Sequence, residues 1–132
     1  MSMDDEEEPY IGIFYPMLNP KFDDDMVEKI LSPLSYLKEF ESKWVLEVDL
    51  PLVNKKDIKV SLDSGNVITV EAKLSEAYID TKHDVKHEFQ YFKKRVSLPG
   101  KIDGKKITVN FKNGRLIITI PKVFGGNEVQ VE

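Results

Sequence analysis

The sequence predicts an all-β fold in which short strands pack face to face as a β-sandwich. Apolar and polar residues alternate in six segments between residues 35 and 122, as expected when one face of each strand is buried. Prolines end several of these segments, and Asn113-Gly114 is the strongest short sequence signal for a tight hairpin. Short alternating strands separated by turns are typical of a sandwich.

The composition is that of an ordinary globular domain. The chain has 132 residues, 41% hydrophobic and 32% charged, which is enough for one modest core. No apolar run approaches the roughly 20 residues that span a bilayer, so no membrane partner is expected. The chain has no cysteine, which excludes disulfides and permits a reducing compartment. Because the start "MSMDDEEE" is also unlike a secretory signal, we expect a cytoplasmic location.

The net charge of −4 is concentrated near the N-terminus. Five negative charges come from Asp4, Asp5, Glu6, Glu7 and Glu8. The rest of the chain therefore carries +1, which is a poor electrostatic match for nucleic acid. The basic cluster at residues 93–95 is most simply a solvated strand face. No nucleic-acid partner is expected.

The N-terminal region, residues 1–34, joins the acidic start to the apolar stretch "YIGIFYPMLNPKF" and a predicted short helix. Asp23 is a suitable N-cap and Pro33 ends the helix. The apolar residues at helical spacing are Met26, Val27, Ile30 and Leu31. A helix of about two turns is marginal without a surface to pack against. This region is too apolar for an inert linker and too small to fold alone.

Residues 35–122 form the predicted sandwich domain. Each strand directs its apolar residues to one side and its polar residues to the other. The residues expected on the apolar sides are Trp44, Leu46, Val48, Leu50, Ile58, Val60, Leu62, Ile68, Val70, Ala72, Phe92, Val96, Leu98, Ile107, Val109, Phe111, Leu116, Ile118 and Ile120.

Residues 74–87, "LSEAYIDTKHDVKH", interrupt this alternation. Only Tyr78 and Ile79 offer much apolar surface there. Such a long loop inside a compact domain is usually functional, so we expect it to pack against another subunit.

The C-terminal tail, residues 123–132, ends in "NEVQVE" after two glycines. Val129 and Val131 point to the same side of an extended strand. Because an exposed sheet edge invites pairing, we expect the tail to add itself to an edge, with each valine in an apolar pocket. Residues 122–128 span at most about 25 Å. That length reaches a neighbouring domain, which we favour, and leaves docking on the chain's own groove open.

From about Trp44 to Pro121 the chain resembles the small heat shock protein (Hsp20) family, in particular its microbial, archaeal-like members. The stretch "VDLPLVNKKDIKVSLDSGNVITVEA" resembles the family's first conserved block, and "FKKRVSLPGKIDGKKITVNFKNGRL" resembles the second. "VQV" stands where the family carries its tail motif, Ile/Val-x-Ile/Val. The resemblance implies an immunoglobulin-like β-sandwich, the α-crystallin domain.

The chain departs from the family pattern at Leu52, Ala72, Lys94, Val109 and Arg115. Lys94 stands where an arginine is frequent. Lysine keeps the charge but lacks the planar fork that binds a carboxylate through two hydrogen bonds. A fixed ion pair between subunits at this position is therefore less certain.

The resemblance implies an ATP-independent holdase chaperone that binds unfolding proteins and prevents their aggregation under heat stress. The resemblance also implies dimers that associate into larger homo-oligomers, as in other members of the family. In microbial relatives the loop matching residues 74–87 carries a strand that pairs with the partner's domain, here around residues 36–38. The implied dimer-loop residues are Tyr78, Ile79 and Lys94. The implied tail-docking groove, between two edge strands, comprises Ile58, Val60, Leu62, Ile107, Val109 and Phe111.

Client proteins are expected to bind the N-terminal region. Methionine and mobile aromatic residues suit promiscuous binding because they repack around unrelated partners. The candidates are Phe14, Tyr15, Met17, Leu18, Phe22, Met26, Ile30 and Leu31. The alternative, that these residues pack on one another inside the oligomer, has equal weight. We hypothesise that heating loosens the tail and N-terminal contacts and exposes this surface.

No catalytic, cofactor or metal site is predicted. The serines lack a nucleophile elbow, and there is no glycine-rich phosphate loop. The side chains that could in principle bind a metal are His83 and His87, with Asp80 and Asp84. Histidines in polar surface loops are far commoner than metal sites. The rival function is a co-chaperone or interaction adaptor with a CS/p23-like sandwich. Such a protein would be a monomer or small assembly and would need no docking tail.

Overall fold

The computed structural model describes residues 10–14, 28–82 and 85–123. Within these ranges the chain forms β-strands and a single turn of 3-10 helix at Gly104–Lys106. The strands are β1 (Tyr10–Phe14), β2 (Ile30–Leu31), β3 (Ser35–Phe40), β4 (Lys43–Asp49), β5 (Val53–Asp63), β6 (Val67–Lys82), β7 (Val85–Ser97), β8 (Thr108–Lys112) and β9 (Arg115–Pro121).

The strands form two sheets that make a sandwich. One sheet has the order β1-β3-β4-β9-β8, and the other has the order β2-β7-β6-β5. Neighbouring strands run antiparallel, except that β2 runs parallel to β7. Each of the six alternating segments lies in a strand. The predicted all-β sandwich is confirmed.

The hydrophobic core lies between the two sheets. Leu46 and Ile118 from the five-stranded sheet, and Val70 and Val96 from the four-stranded sheet, are fully buried in one cluster. Burial alternates strictly along β9, where Leu116 and every second residue after it are buried. This alternation is the direct result of the strand pleat, which directs successive side chains to opposite faces.

A buried acidic side chain crosslinks three strands on the outer face of the five-stranded sheet. Glu47 of β4 is 9% exposed. Its carboxylate accepts from Lys38 Nζ at 2.5 Å and from an Arg115 guanidinium nitrogen at 3.3 Å. Arg115 Nε also donates to Asp49 at 3.0 Å, and this hydrogen bond raises the pKa of Arg115. Arg115, a departure from the family pattern, therefore joins β9 to β4.

The structure corrects the helix prediction at Ile30 and Leu31. These residues form β2 beside β7. The preceding turn places Lys29 at a φ of 62°, and the Lys29 carbonyl accepts the Tyr91 N–H at 3.2 Å. Pairing with a sheet edge outweighs the weak helical tendency of so short a segment. The other predicted helical residues, 23–27, lie outside the described ranges.

The structure also corrects the loop prediction for residues 74–87. Most of this stretch extends the β6–β7 hairpin, with Tyr78 paired to Phe89 and Lys82 to Val85. The register shifts before Tyr78, so that residues 74–77 lie opposite Gln90 alone. Residues 75–79 are exposed. Because residues 75–79 have no core to pack against, their sequence shows no apolar alternation.

Truncation of a core residue on β9 should cost much more stability than truncation of its neighbour. Ile118→Ala is expected to lower the free energy of unfolding by about 2–5 kcal/mol, because Ile118 is fully buried. The half-buried Ile117 faces the other side of the strand, and Ile117→Ala should cost about 1 kcal/mol. Urea unfolding, followed by Trp44 fluorescence at one protein concentration, measures both. Equal losses would contradict the two-sheet core.

Candidate interaction surfaces

An apolar groove between the two sheets is the clearest candidate site. β5 and β8 are each the last strand of their sheet within the described part of the chain, and they lie together along one side of the sandwich. The groove between them has a volume of about 310 Å³. Its lining residues are Lys55, Ile58, Val60, Val109, Phe111 and Leu116. We call this the β5–β8 groove.

Most of the predicted groove residues lie where the sequence placed them. Four of the six line the β5–β8 groove, while Leu62 and Ile107 are partly buried against the core. Sequence reasoning missed Lys55 because the predicted strand began at residue 58, whereas β5 begins at Val53 and contains a register shift. Leu116, predicted only as core, forms the buried floor.

The β5–β8 groove is accessible to another strand. The side chain of Val109 is 48% exposed, and those of Ile58, Val60 and Phe111 are half-buried. Two edge strands with apolar side chains between them present both backbone hydrogen-bonding groups and pockets, as strand addition requires.

The chain is firmly held just before the tail. The Lys122 N–H donates to the Ser42 carbonyl at 2.9 Å. Its ammonium group lies 2.6 Å from a carboxylate oxygen of Glu39 and 5.1 Å from the centroid of the Trp44 ring. The tail therefore starts from a fixed point. Val129 and Val131 themselves lie outside the described residues.

The edge expected to accept a partner's strand is occupied within this chain. β3 contains Tyr36–Lys38 and pairs on one side with β4. On its other side it pairs with β1, with Ile13 opposite Lys38 and Phe14 opposite Leu37. A strand has only two hydrogen-bonding edges, so no third strand adds to β3 while β1 is in place.

The three predicted dimer-loop residues are not brought together. Tyr78 is 44% and Ile79 is 60% exposed on the extended hairpin. The Tyr78 ring lies 6.4 Å from the Phe89 ring, centroid to centroid. Lys94 lies in the body of β7, where its ammonium group donates to the Ser32 hydroxyl at 3.2 Å. Lys94 is therefore placed beside β2 and not on the hairpin.

The candidate client-binding residues are only partly described. Phe14 is the last residue of β1, and Ile30 and Leu31 are half-buried in β2, with Leu31 packed against the core. The remaining candidates lie outside the described ranges: Tyr15, Met17, Leu18, Phe22 and Met26.

The described residues contain no group of three or more acidic or histidine side chains arranged to hold a metal. His83 and Asp84 lie outside those residues, and Asp80 and His87 are cross-hairpin partners along the backbone. Within the same ranges, no helix has the length and apolar character needed to cross a bilayer.

The two stacked sheets, with an open apolar groove between the edge strands β5 and β8, define the protein as a β-sandwich with an accessible sheet edge. A model of the Hsp20/alpha crystallin family matches residues 36–131. The chain belongs to this family.

Relatives and solved structures agree. The chain is 38% identical over 97 residues to small heat shock protein C4 of Rickettsia felis, a match that covers 71% of this chain and 59% of that protein. It is 30% identical over 129 residues to heat shock protein 16 of Schizosaccharomyces pombe, with 88% and 90% covered. The structure of heat shock protein 16.0 from S. pombe matches with a TM-score of 0.63 at 27% identity, covering 90% of this chain and 83% of that one. A small heat-shock protein from Xylella fastidiosa matches with a TM-score of 0.54 at 26% identity, covering 76% and 95%.

Proposed function

We propose that the protein is an ATP-independent holdase that binds unfolding proteins and prevents their aggregation under heat stress, as a homo-oligomer of dimers held by tail docking. Membership in the Hsp20/alpha crystallin family supports a chaperone role and homo-oligomer formation. The observation that carries the tail-docking part is the open, apolar β5–β8 groove. The proposal includes a cytoplasmic location and no enzymatic activity, nucleic-acid partner or membrane partner.

Docking of the tail in the β5–β8 groove is weak for a single copy. Burial of each valine contributes roughly 1.5–3 kcal/mol, and each backbone hydrogen bond contributes about 0.5–1.5 kcal/mol net. Ordering each tail residue costs about 1–2 kcal/mol of backbone entropy. These terms nearly cancel, so one tail binds reversibly. Several tails in a closed assembly act together because each raises the effective concentration of the others.

Removal of the two tail valines should dissociate the oligomer. In Val129→Ser/Val131→Ser both apolar side chains are lost, so light scattering should show a fall from a large assembly to dimers. The matched control, Asn127→Ser/Gln130→Ser, leaves the valines in place and should keep the mass. An unchanged mass for the valine variant would contradict tail docking, and a monomer in every case would support the adaptor function.

The dimer contact competes with β1 for one edge. In the proposal, residues 78–82 of one copy's hairpin pair with β3 of the other copy. Since β3 already pairs with β4 and β1, the incoming hairpin requires β1 to leave. Release of β1 frees the segment "YIGIF" and the candidate client-binding residues that follow it. Dimer formation and exposure of the client-binding region are thereby coupled.

A disulfide between β1 and β3 should prevent the dimer from forming and should thereby stop subunit exchange. Ile13 and Lys38 are register partners, and such antiparallel pairs lie about 4.5–5.5 Å apart at Cα, within disulfide range. Because the chain has no cysteine, the two introduced thiols are the only ones in Ile13→Cys/Lys38→Cys, and oxidation in dilute solution favours the bond within one chain. Native mass spectrometry of mixed labelled and unlabelled protein should show no exchanged dimers until reductant is added.

The control for this experiment shares one of the two substitutions. Lys38→Cys/Val45→Cys joins β3 to β4 on the opposite side and leaves β1 able to move, so exchange should continue when it is oxidised. Exchange that is equally fast in both oxidised variants would show that β1 stays on β3 in the dimer.

Heating should raise subunit exchange and client protection together. Both require that weak edge contacts open, and the proposal assigns them to the same tail and N-terminal contacts. Exchange rate and suppression of light scattering by a heat-labile model protein are measured on one sample across a temperature series. A protective activity that rises while exchange stays constant would separate the two events.

A further inference from the structure

We propose that the tail is selected by charge as well as by its valines: lysines at the two ends of the β5–β8 groove bind Glu128 and Glu132, which flank the valines. The inference rests on the proposed tail docking and adds to it an electrostatic specificity. The occupant of the groove is the segment "EVQVE" of another copy of this chain.

One end of the β5–β8 groove is basic because of the start of β5. Lys55 is part of the groove lining and is exposed, and Lys56 beside it is also exposed. Neither lysine has an ion-pair partner among the residues that the structure describes. Asp57 follows them, so this end keeps a net positive charge.

The other end is basic because of the 3-10 turn that precedes β8. Gly104 lies against Leu62 of β5: a Cβ at this position would lie 3.0 Å from a Leu62 methyl. The close approach brings the turn, with exposed Lys105 and Lys106, to the far end of the edge strands. Two acidic residues lie near this end, and both are already engaged: the Asp103 carboxylate caps the turn by accepting the Lys105 N–H at 3.0 Å, and the Asp63 carboxylate accepts from the Thr69 hydroxyl at 2.6 Å.

The tail has the complementary order of charge. In an extended strand, Glu128 and Glu132 lie about 13 Å apart and point away from the side that carries the valines. Carboxylates directed to the rim meet the long, flexible lysine side chains, while the valines enter the groove. Since the pattern is acidic at both ends and the groove is basic at both ends, either chain direction satisfies it.

The acidic N-terminal segment, residues 4–8, is the rival occupant. It offers five carboxylates without an intervening apolar residue, so it satisfies the lysines and leaves the pockets empty. The tail pairs with the lysines through its glutamates and fills the apolar pockets with its valines. We therefore assign the groove to the tail.

Reversal of either set of charges should weaken assembly, and reversal of both should restore it. We expect Glu128→Lys/Glu132→Lys, and separately Lys55→Glu/Lys105→Glu/Lys106→Glu, to raise the protein concentration at half-dissociation about tenfold or more at low salt. At 1 M salt, where charges are screened beyond about 3 Å, the difference should largely disappear. Light scattering of the full-length variants in a dilution series measures this.

A matched charge change away from the groove controls for net charge. Lys73→Glu/Lys93→Glu/Arg95→Glu alters three exposed residues of β6 and β7, two strands of the four-stranded sheet that do not frame the groove, and should leave assembly as it is. Restoration in the combined variant excludes misfolding as the cause of weakening in the single sets.

The outcomes separate this inference from the proposed function. If the charge reversals change nothing while Val129→Ser/Val131→Ser dissociates the oligomer, the electrostatic inference is overturned and tail docking stands. If the valine variant also changes nothing, tail docking itself fails. If the lysine reversal weakens assembly but the combined variant does not recover, another acidic segment occupies the lysines and the inference is overturned.

Discussion

A β-strand carries hydrogen-bonding groups on two edges, and the way in which each sheet uses its outer edges governs this molecule. The five-stranded sheet ends in β1 and β8, and the four-stranded sheet ends in β2 and β5, within the described chain. β5 and β8 frame the groove, whereas β1 and β2 cover β3 and β7. An outer edge is a liability for a soluble sandwich unless something covers it. In the proposed function these covers are exchanged between copies of the chain, and the exchange exposes the surface that binds unfolding proteins.

The contrast between the centre and the edges of the sheets makes such exchange feasible. The central strands β4 and β9 share Leu46 and Ile118 in the core and are crosslinked on their outer face by Glu47 and Arg115. β1 and β2, in contrast, are short segments, of five and two residues, each paired with a single strand. Local opening requires little free energy where few buried contacts are lost. The proposed function uses this difference: β1 is the strand that leaves while the sandwich stays folded.

The sequence predicts the strands whose side chains alternate between a buried and an exposed face. It does not predict structure that depends on pairing with a strand distant in the sequence. β9 was predictable because one of its faces is buried, and four of the groove residues were predictable because apolar and polar side chains alternate along β5 and β8. The strand formed by Ile30 and Leu31 was not predictable, because it forms only by pairing with the edge of β7. The segment of residues 75–79 is exposed and has no buried face for the pattern to reflect. Lys55 was missed because the register shift in β5 lies outside the alternating run.

In the proposal, the two exchangeable contacts lie at opposite edges of one sheet, and they depend on different forces. At the β8 edge, the groove combines apolar pockets with lysines, so ionic strength acts on it directly. At the β3 edge, the contest between β1 and a second copy's hairpin is one of backbone pairing, which salt screens little. Three well-packed strands, β3, β4 and β9, separate β1 from β8. In the proposal, loss of the tail contacts at β8 therefore leaves the dimer contact at β3 in place, and the oligomer dissociates into dimers in which β1 stays displaced.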